Sequence, residues 1–375
     1  SFAPDRFNTG CNEKKLTEIK TGNHGTILVE GTDCDEPKNV NIVVRENEKY
    51  NDIVINAYVN KSLADKIEIT NLNFTRKLMP LNSDKDGLYK SNKTIIFRNC
   101  KFQSVQHNSQ KLKLIFIDCT FNGNVSSGNI ELENCRFEKT LKDAMNPLQN
   151  YKANKVYVRN LIHTKSTSGA HVDGVQIFGK KDVLAQNIVI ENSRFSMPCF
   201  QYEGAKTYVN AALMMQLEFG NAEDVTFENI IIDCGSPWSG PCRSSEPKLL
   251  DDGTQLYQKN ILFKDIKISN HYSNCFHGDY YKGITEENIT HPNLLYVTSV
   301  IQDTEGKTHV IVTNNTKENK TLVVKSNNKT WEFIIPKMSA PKPLFLDESF
   351  KDLRYHDMPF DVDCEIPFLL ENGIC

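Results

Sequence analysis

A short pattern recurs along the middle of the chain, and it restricts the fold more than any other feature of the sequence. Most copies have an apolar, a variable, an apolar and a polar residue before an Asn or Asp, and another apolar residue three positions after it. The Asn or Asp of each copy stands at Asn71, Asn99, Asp118, Asn134, Asn160, Asn192, Asn229 and Asp265. Alternation with a period of two is typical of β-strands. The pattern therefore predicts short strands that each end at a sharp corner.

Such short strands need to be stacked. A strand of four or five residues cannot bury a face alone, whereas similar strands about 4.8 Å apart form a continuous core and pair their backbones. Asn and Asp suit the corners because they tolerate the left-handed conformation and can bond to the neighbouring coil. The chain is therefore expected to be all-β, a parallel β-helix with stacked Asn/Asp corners and a stack of Phe side chains beside them.

Three of the eleven cysteines directly follow a corner of the repeat. They are Cys100, Cys119 and Cys135. We expect them to point inward on three consecutive coils, where a thiol behaves as a small hydrophobic group. They are predicted to be reduced, buried and stacked.

The other cysteines are even in number and are expected to form disulfides, which indicates an oxidising compartment. They are Cys11, Cys34, Cys199, Cys234, Cys242, Cys275, Cys364 and Cys375. Cys234 with Cys242 and Cys364 with Cys375 are near pairs in the sequence, and Cys11 and Cys34 are available to pin the N-terminal segment. The pairing of Cys11, Cys34, Cys199 and Cys275 stays open.

Over residues 50–285 the repeat resembles the right-handed parallel β-helix proteins of the pectate-lyase-like superfamily. The resemblance implies a right-handed parallel β-helix, a solenoid. It implies no single activity, because that superfamily holds lyases, glycosidases, esterases, phage tailspikes, adhesins and structural fibres.

The pattern of apolar runs and turn residues divides the chain into three parts. Residues 1–49 are expected to form an N-terminal cap with the first strands, and residues 50–290 the parallel β-helix. In residues 291–375, apolar runs alternate with Asp, Asn, Gly and Lys turns, which predicts an antiparallel β meander with a disulfide-closed tail.

Composition excludes several classes of function. Lys and Arg number 44 against 47 Asp and Glu, so there is no basic excess that would favour nucleic acid. The longest apolar runs fall far short of the roughly 20 residues of a membrane span. No Cys-x-x-Cys motif supports a structural zinc site. A structural or catalytic calcium ion is left open.

Sequons point, with the cysteines, to the secretory route. They lie at Asn60, Asn73, Asn92, Asn124, Asn288, Asn314, Asn319 and Asn328. A chain rich in Asn generates some sequons by chance, so the cysteines carry more of this inference. We expect a glycoprotein that is secreted or lies on an extracellular or virion surface.

The most motif-like stretch surrounds His171, Asp173 and Gln176, and the next coil carries Gln216 and Glu218. It resembles the His-x-Asp-Gly-x-Gln segment of secreted microbial β-helix proteins. Alternation places His171 and Asp173 on one face of a strand. Glycoside hydrolysis needs two carboxylates about 5 Å or about 6.5–9.5 Å apart, and β-elimination needs a base such as histidine. His171, Asp173 and Glu218 are the catalytic candidates, and Gln176 and Gln216 are substrate-binding candidates.

A structural interpretation of the same residues stands beside the catalytic one. In it His171 caps a turn, Asp173 is a corner residue, and Gln176 and Gln216 form a polar ladder.

Aromatic side chains elsewhere in the sequence suit stacking on sugar rings. Trp238, Tyr280 and Tyr281 are therefore further substrate-binding candidates. The alternatives are that Trp238 is a buried anchor of its loop and that Tyr280 and Tyr281 are ordinary surface tyrosines.

Two hypotheses follow for the function. The first is a secreted carbohydrate-active β-helix protein that acts on or binds a polysaccharide as a lyase or glycosidase. The second is a non-catalytic glycosylated structural or surface protein, a fibre, appendage, virion or adhesin subunit that self-associates through the β-helix. Perturbed carboxylates or histidines converging on a groove would favour catalysis.

Overall fold

The fold comes from a computed structural model that describes residues 4, 8–18, 26–33, 39–46, 50–55, 66–78, 92–138, 143–159, 171–196, 208–209, 211–232, 242–268, 282–290, 295–302, 308–314, 316–325, 329–347 and 354–355. Within these residues nearly all regular structure is β, and the one helical segment is a 3-10 turn at Glu13–Lys15. The expected all-β class is confirmed.

The first strands form an antiparallel cap. They are β2 (Thr26–Asp33), β3 (Asn39–Glu46) and β4 (Tyr50–Ile55), whereas the short β1 (Thr17–Glu18) before them pairs in parallel with Leu72 and Asn73. β2 pairs with β3, where Val29 lies opposite Ile42, and β3 pairs with β4, where Val44 lies opposite Ile53. The antiparallel pairing confirms the expected N-terminal cap.

The solenoid follows the cap. Its strands are β5 (Lys66–Thr70), β6 (Leu72–Asn73), β7 (Lys77–Leu78), β8 (Thr94–Arg98), β9 (Lys101–Phe102), β10 (Val105–His107), β11 (Lys113–Ile117), β12 (Thr120–Phe121), β13 (Val125–Ser127), β14 (Ile130–Glu133), β15 (Arg136–Phe137), β16 (Met145–Pro147), β17 (Gln149–Asn154), β18 (Tyr157–Arg159), β19 (His171–Val172), β20 (Val175–Ile177), β21 (Ala185–Ser196), β22 (Tyr208–Val209), β23 (Leu213–Met215), β24 (Ala222–Ile232), β25 (Cys242–Ser244), β26 (Gln258–Ile268) and β27 (Ile284–Thr290).

Successive coils pair in parallel on three faces. Face A stacks β5, β8, β11, β14, β17, the first parts of β21, β24 and β26, and then β27. Face B stacks β6, β9, β12, β15, β18 and the last parts of β21, β24 and β26. Face C stacks β4, β7, β10, β13, β16, β20, β23 and β25. This stacking of parallel strands is the predicted parallel β-helix.

The corners between faces A and B have the predicted left-handed conformation. Their φ values are 59° at Asn71, 52° at Asn99, 53° at Asp118, 55° at Asn134, 50° at Asn192, 54° at Asn229 and 53° at Asp265. Amides of adjacent corners are bonded, as in Asn229 Nδ2 to Asn192 Oδ1 at 2.7 Å. The side chain thus satisfies one polar group of the next coil, which is why Asn suits this place.

One corner was assigned to the wrong residue. Asn160 itself lies outside the described residues, but the corner of its coil is Lys155, with φ 52°. The strand before this corner is β17, in which Ala153 pairs with Leu132. Val156 and Tyr157 match the repeat in sequence but follow the corner, on face B. The sequence pattern was therefore read five residues too late.

A stack of Phe rings fills the core near the corners, as predicted. Phe74 and Phe102 stack with ring centroids 4.7 Å apart, and Phe121 and Phe137 with centroids 4.9 Å apart. All four side chains are buried. Each stacked aromatic pair contributes about 0.5–1.5 kcal/mol beyond the burial of its area.

The predicted ladder of reduced cysteines is confirmed. Cys100, Cys119 and Cys135 are free, and each is 0% exposed. The Cys119 thiol donates to Phe97 O at 3.4 Å. Burial, together with hydrogen bonds to Cys100 and Cys135, raises the pKa of Cys119 well above its usual value.

The assignment of Cys11 to a disulfide was wrong. Cys11 is a free, buried thiol that packs on face B, where its backbone N–H donates to Thr120 Oγ1 at 2.9 Å. Burial raises the pKa of this thiol. Cys242 is buried and disulfide-bonded, as predicted, and its partner lies outside the described residues. Cys234, Cys34, Cys199, Cys275, Cys364 and Cys375 all lie outside the described residues. Their pairing stays a prediction.

The last strands form the expected antiparallel appendage. They are β28 (Leu295–Gln302), β29 (Thr308–Asn314), β30 (Lys320–Lys325), β31 (Thr330–Ile335), β32 (Ser339–Leu346) and β33 (Arg354–Tyr355). β29 lies between β28 and β32, and β30 lies between β31 and β33. Val310, Val324 and Leu346 belong to a separate small core. Among the described residues, no helix is long and apolar enough to cross a membrane.

Candidate functional site

Asp173 is buried, and its hydrogen bonds connect its own coil to the preceding coil and to the following coil. It is 0% exposed. Its Oδ1 accepts a hydrogen bond from the backbone N–H of Ala211 at 2.8 Å, and its own N–H donates to Asp143 Oδ1 at 2.8 Å. A carboxylate at this depth is closed to a polysaccharide. Asp173 therefore fits the structural interpretation and not the catalytic one.

Glu218 lies in a different environment from Asp173. It is exposed in the loop that follows β23. One carboxylate is thus buried and the other faces solvent, so the structure does not place them as a pair on one groove. His171 begins β19, which pairs with β22 through Tyr208. The His171 side chain, like Trp238, Tyr280 and Tyr281, lies outside what the structure describes.

Gln176 and Gln216 form the polar ladder of the structural interpretation. Gln176 Nε2 donates to Gln216 Oε1 at 2.6 Å, and both side chains are half-buried. Gln176 lies on β20, on the outer side of face C. A polar surface continues from this bond along the preceding coils, because Asn146 Nδ2 donates to Gln176 O at 3.3 Å.

A groove runs along face C, and we call it the amide groove. It has a volume of about 370 Å³. It is lined by Lys77, Gln106, Asn124, Ser126, Ser127, Asp143, Asn146, Pro147, Leu148, Phe178 and Lys180. Gln106, Ser126 and Asn146 are register partners on adjacent strands. One outward polar side chain per coil thus lies along the groove, because alternation directs every second residue away from the core.

Hydrogen bonds hold these polar groups in place. Asn124 Nδ2 donates to Asp143 O at 2.8 Å and to Asn146 Oδ1. Asn146 Nδ2 donates to Asp143 Oδ2 at 3.0 Å and to Gln176 O at 3.3 Å. Lys77 Nζ donates to Gln106 Oε1 at 2.6 Å. The network orders the groove before any ligand arrives, which lowers the entropy cost of binding.

The electrostatic character of the groove is set by two lysines and one carboxylate. Lys77 and Lys180 line it, and Asp143 is the single carboxylate among its described lining residues. Asp143 accepts through both oxygens, from Asp173 N and from Asn146 Nδ2. The groove therefore offers cationic and amide donors together with amide and hydroxyl acceptors.

His107 lies beneath the groove and takes no part in its surface. It is 1% exposed on β10, and its Nε2 donates to Leu112 O at 2.8 Å. Burial lowers the pKa of His107 to about 4. This imidazole is neutral at physiological pH and lies on the core side of the strand, so it is a structural group.

An aromatic pair at one end of the groove escaped the sequence analysis. Phe178 lines the groove, and its ring centroid lies 6.3 Å from that of Phe219, which is 54% exposed. The two residues precede Gly179 and Gly220. A Cβ on Gly220 would lie 2.5 Å from Gly179 C, so the two coils approach closely there. The sequence feature that could have predicted this aromatic pair is the recurrence of Phe-Gly at Phe178-Gly179 and Phe219-Gly220, one coil apart.

The asparagines of the described sequons differ in their exposure to solvent. Asn92, Asn288 and Asn319 are exposed, whereas Asn314 is 0% exposed. Asn314 Nδ2 donates to Glu318 O, Ile335 O and Pro336 O, each at 3.0 Å. A glycan on this nitrogen does not fit the folded chain, so Asn314 is not an acceptor in this structure. Asn60 and Asn328 lie outside the described residues.

No set of metal ligands comes together in the part of the chain that the structure describes. A calcium site is therefore not identified there. Comparisons with protein-family models, with curated proteins and with solved structures gave no match for this chain. The fold alone defines the class, which is a parallel β-helix protein with an ordered polar groove on one face.

Proposed function

We propose that this chain is a secreted, pectate-lyase-like β-helix protein that binds a polysaccharide along the amide groove. The observation that carries the proposal is the row of hydrogen-bonded amides and hydroxyls that lies open on face C beside Phe178. Carbohydrate sites combine such planar polar groups with aromatic rings that stack on the apolar faces of sugars.

The repeat of the solenoid supports an extended ligand. Successive coils place Gln106, Ser126 and Asn146 in register, one strand spacing of about 4.8 Å apart. One sugar residue of an extended polysaccharide has a similar length. A polysaccharide that lies along face C therefore meets a new polar side chain of the protein at nearly every sugar residue.

The charges of the groove favour an acidic polysaccharide. Lys77 and Lys180 supply two cations, whereas the oxygens of Asp143 already accept hydrogen bonds from the protein. A uronate carboxylate or a sulfate ester is the natural partner of these lysines. Binding of such a ligand weakens as salt screens the lysines.

The same residues support binding more than hydrolysis. Hydrolysis uses two carboxylates, and the described lining of the groove holds Asp143 alone. In the part of the chain that the structure describes, the carboxylates with lowered pKa values are Asp252, bonded to Thr254, and Asp347, bonded to Lys329, and neither lines the groove. A glycosylated surface protein that binds glycans is compatible with this arrangement, and exposed sequons such as Asn92 favour it.

The proposal is tested by titrating the protein with oligogalacturonate, a sulfated oligosaccharide and neutral dextran in a calorimeter. We expect an acidic ligand to bind, and Lys77→Gln to weaken it about tenfold, the loss of roughly 1.4 kcal/mol. Lys259→Gln removes an exposed charge on face A and serves as the matched control. Unchanged affinity in Lys77→Gln, or no binding by any of the three ligands, contradicts the proposal.

A further inference from the structure

Residues 8–18 cross face B and its corners as a strap that contains the 3-10 turn at Glu13–Lys15. Thr17 and Glu18 pair with Leu72 and Asn73 on β6, and Gly10 N donates to Asn134 O at 3.0 Å. The strap thus runs from the coil of Asn134 back to the coil of Asn71. Its direction along the solenoid axis is opposite to the order of the coils in the sequence. Thr9 and Cys11 of the strap are themselves buried.

The strap fills a gap in the corner ladder. Asn99 Nδ2 donates to Asn71 Oδ1, and Asn134 Nδ2 donates to Asp118 Oδ1, both at 2.7 Å. Asp118 has no N–H to donate to Asn99, because an ionised carboxylate only accepts. The backbone N–H of Asn12 takes this place and donates to Asn99 Oδ1 at 2.6 Å.

Most contacts of the strap are made by its backbone. Arg136 Nη1 donates to Thr9 O at 2.9 Å, Cys11 N donates to Thr120 Oγ1 at 2.9 Å, and Thr17 N donates to Asn71 O at 2.7 Å. A surface that pairs with an extended backbone is the basis of recognition by strand addition.

One residue of the strap is restricted by shape. Gly10 has φ +80°, and a Cβ there would lie 2.6 Å from Thr120 Oγ1 and 3.0 Å from Arg136 Cβ. A side chain at this place is strained in both conformation and space. Glu13 adds an ion pair with Lys101 at 2.7 Å. The surface therefore selects for glycine at one position and for an acidic residue three positions later.

We propose that the surface under the strap is a peptide-binding site, and that its ligand in trans is the strap of a second copy of this chain. The site consists of Asn71, Asn99, Thr120, Asn134 and Arg136. In one molecule the tethered strap occupies it at an effective concentration of the order of millimolar. When that strap releases, the strap of another copy makes the same contacts, which is an exchange of identical elements between protomers.

The test uses the full chain with Gly10→Val, whose own strap is weakened, and a fluorescent synthetic peptide of residues 8–18. We expect the peptide to bind the Gly10→Val chain at least tenfold more tightly than the wild-type chain, where the tethered strap competes. The matched control is the same peptide with Gly10→Val, which is expected to bind neither chain. Equal binding of both peptides to the Gly10→Val chain, or no binding of the wild-type peptide, overturns the proposal.

A second measurement on the wild-type chain applies even if the Gly10→Val chain does not fold. A peptide of residues 8–18 with Cys11→Ser is added in excess, and alkylation of the protein's own Cys11 is followed by mass mapping. We expect Cys11 to be alkylated at least fivefold faster as the peptide displaces the strap, while Cys100, Cys119 and Cys135 stay protected. A rate that does not depend on the peptide concentration overturns the proposal.

Discussion

Asp143 and Asp173 are 30 residues apart in sequence and are joined by a hydrogen bond of 2.8 Å from Asp173 N to Asp143 Oδ1. Asp143 faces the amide groove, and Asp173 lies buried behind it and accepts from Ala211 N. The floor of the groove is therefore tied through these two carboxylates to the next two coils. Changes at the buried residue are expected to act on stability first.

Asp173→Asn is expected to lower the free energy of unfolding by about 1 kcal/mol or more, because a neutral amide oxygen replaces the charged acceptor of a buried backbone N–H. Urea unfolding followed by circular dichroism measures the change. Asp251→Asn, in an exposed loop, is the control and is expected to have little effect. Unchanged stability in Asp173→Asn together with lost turnover of a polysaccharide would restore the catalytic hypothesis.

Thiol chemistry tests the cysteine ladder. Burial raises the pKa of Cys119 well above its usual value, so its reactive thiolate form is suppressed. Because Cys100, Cys119 and Cys135 are all fully buried, all three are expected to resist iodoacetamide in the native protein and to react in concentrated guanidinium. Mass mapping of alkylated peptides reads out each residue. Alkylation of these three residues in the native state, or their recovery as disulfides, would contradict the ladder.

His107 is expected to make stability depend on pH. Its pKa is about 4 in the folded chain against 6.5 for an unperturbed histidine, so the unfolded chain binds the proton first as the pH falls. The contribution of neutral His107 is complete above pH 6.5 and is lost between pH 6.5 and about 4. The loss is about 3 kcal/mol.

Urea midpoints at pH 7 and at pH 4.5 measure this effect. Carboxylates also titrate in this window, so the comparison is with His107→Asn, in which the histidine contribution is absent. We expect the variant to lose less stability than the wild type on acidification. An equal loss in both proteins would show that His107 does not titrate in this way.

Lys155→Asn is expected to stabilise the protein. Lys155 occupies a left-handed corner with φ 52°, a conformation that costs an ordinary side chain about 1–2 kcal/mol and that Asn tolerates better. Its ion pair with Glu133 is 3.5 Å long between side chains that are 59% and 38% exposed, so little is lost with it. We expect a gain of about 0.5–1 kcal/mol in thermal or urea unfolding.

Lys181→Asn is the control for this substitution, since Lys181 is exposed and has no positive φ. It is expected to change stability by less than about 0.5 kcal/mol. A loss of stability in Lys155→Asn would show that the corner does not strain the lysine.

Local features of the fold could be read from the sequence because they depend on neighbouring residues. Alternation with a period of two defines a strand, and Asn at its end defines a left-handed corner, so Asn99 and Asn134 were assigned correctly. The same logic placed Phe102 and Cys119 in the core. The coil at Lys155 was misassigned because Val156 and Tyr157 satisfy the pattern equally well, and only pairing with the previous coil distinguishes the two registers.

The sequence by itself determined the repeated strand and corner, and with them the solenoid, because both are short-range preferences repeated along the chain. The tertiary structure decided which residues of different coils meet. Loops of unequal length separate those coils, so no spacing predicts that Lys77 and Lys180 share a groove, that Asp173 is buried while Glu218 is exposed, or that Asn12 completes the ladder at Asn99. These contacts depend on the stacking of whole coils, which is a long-range property of the chain.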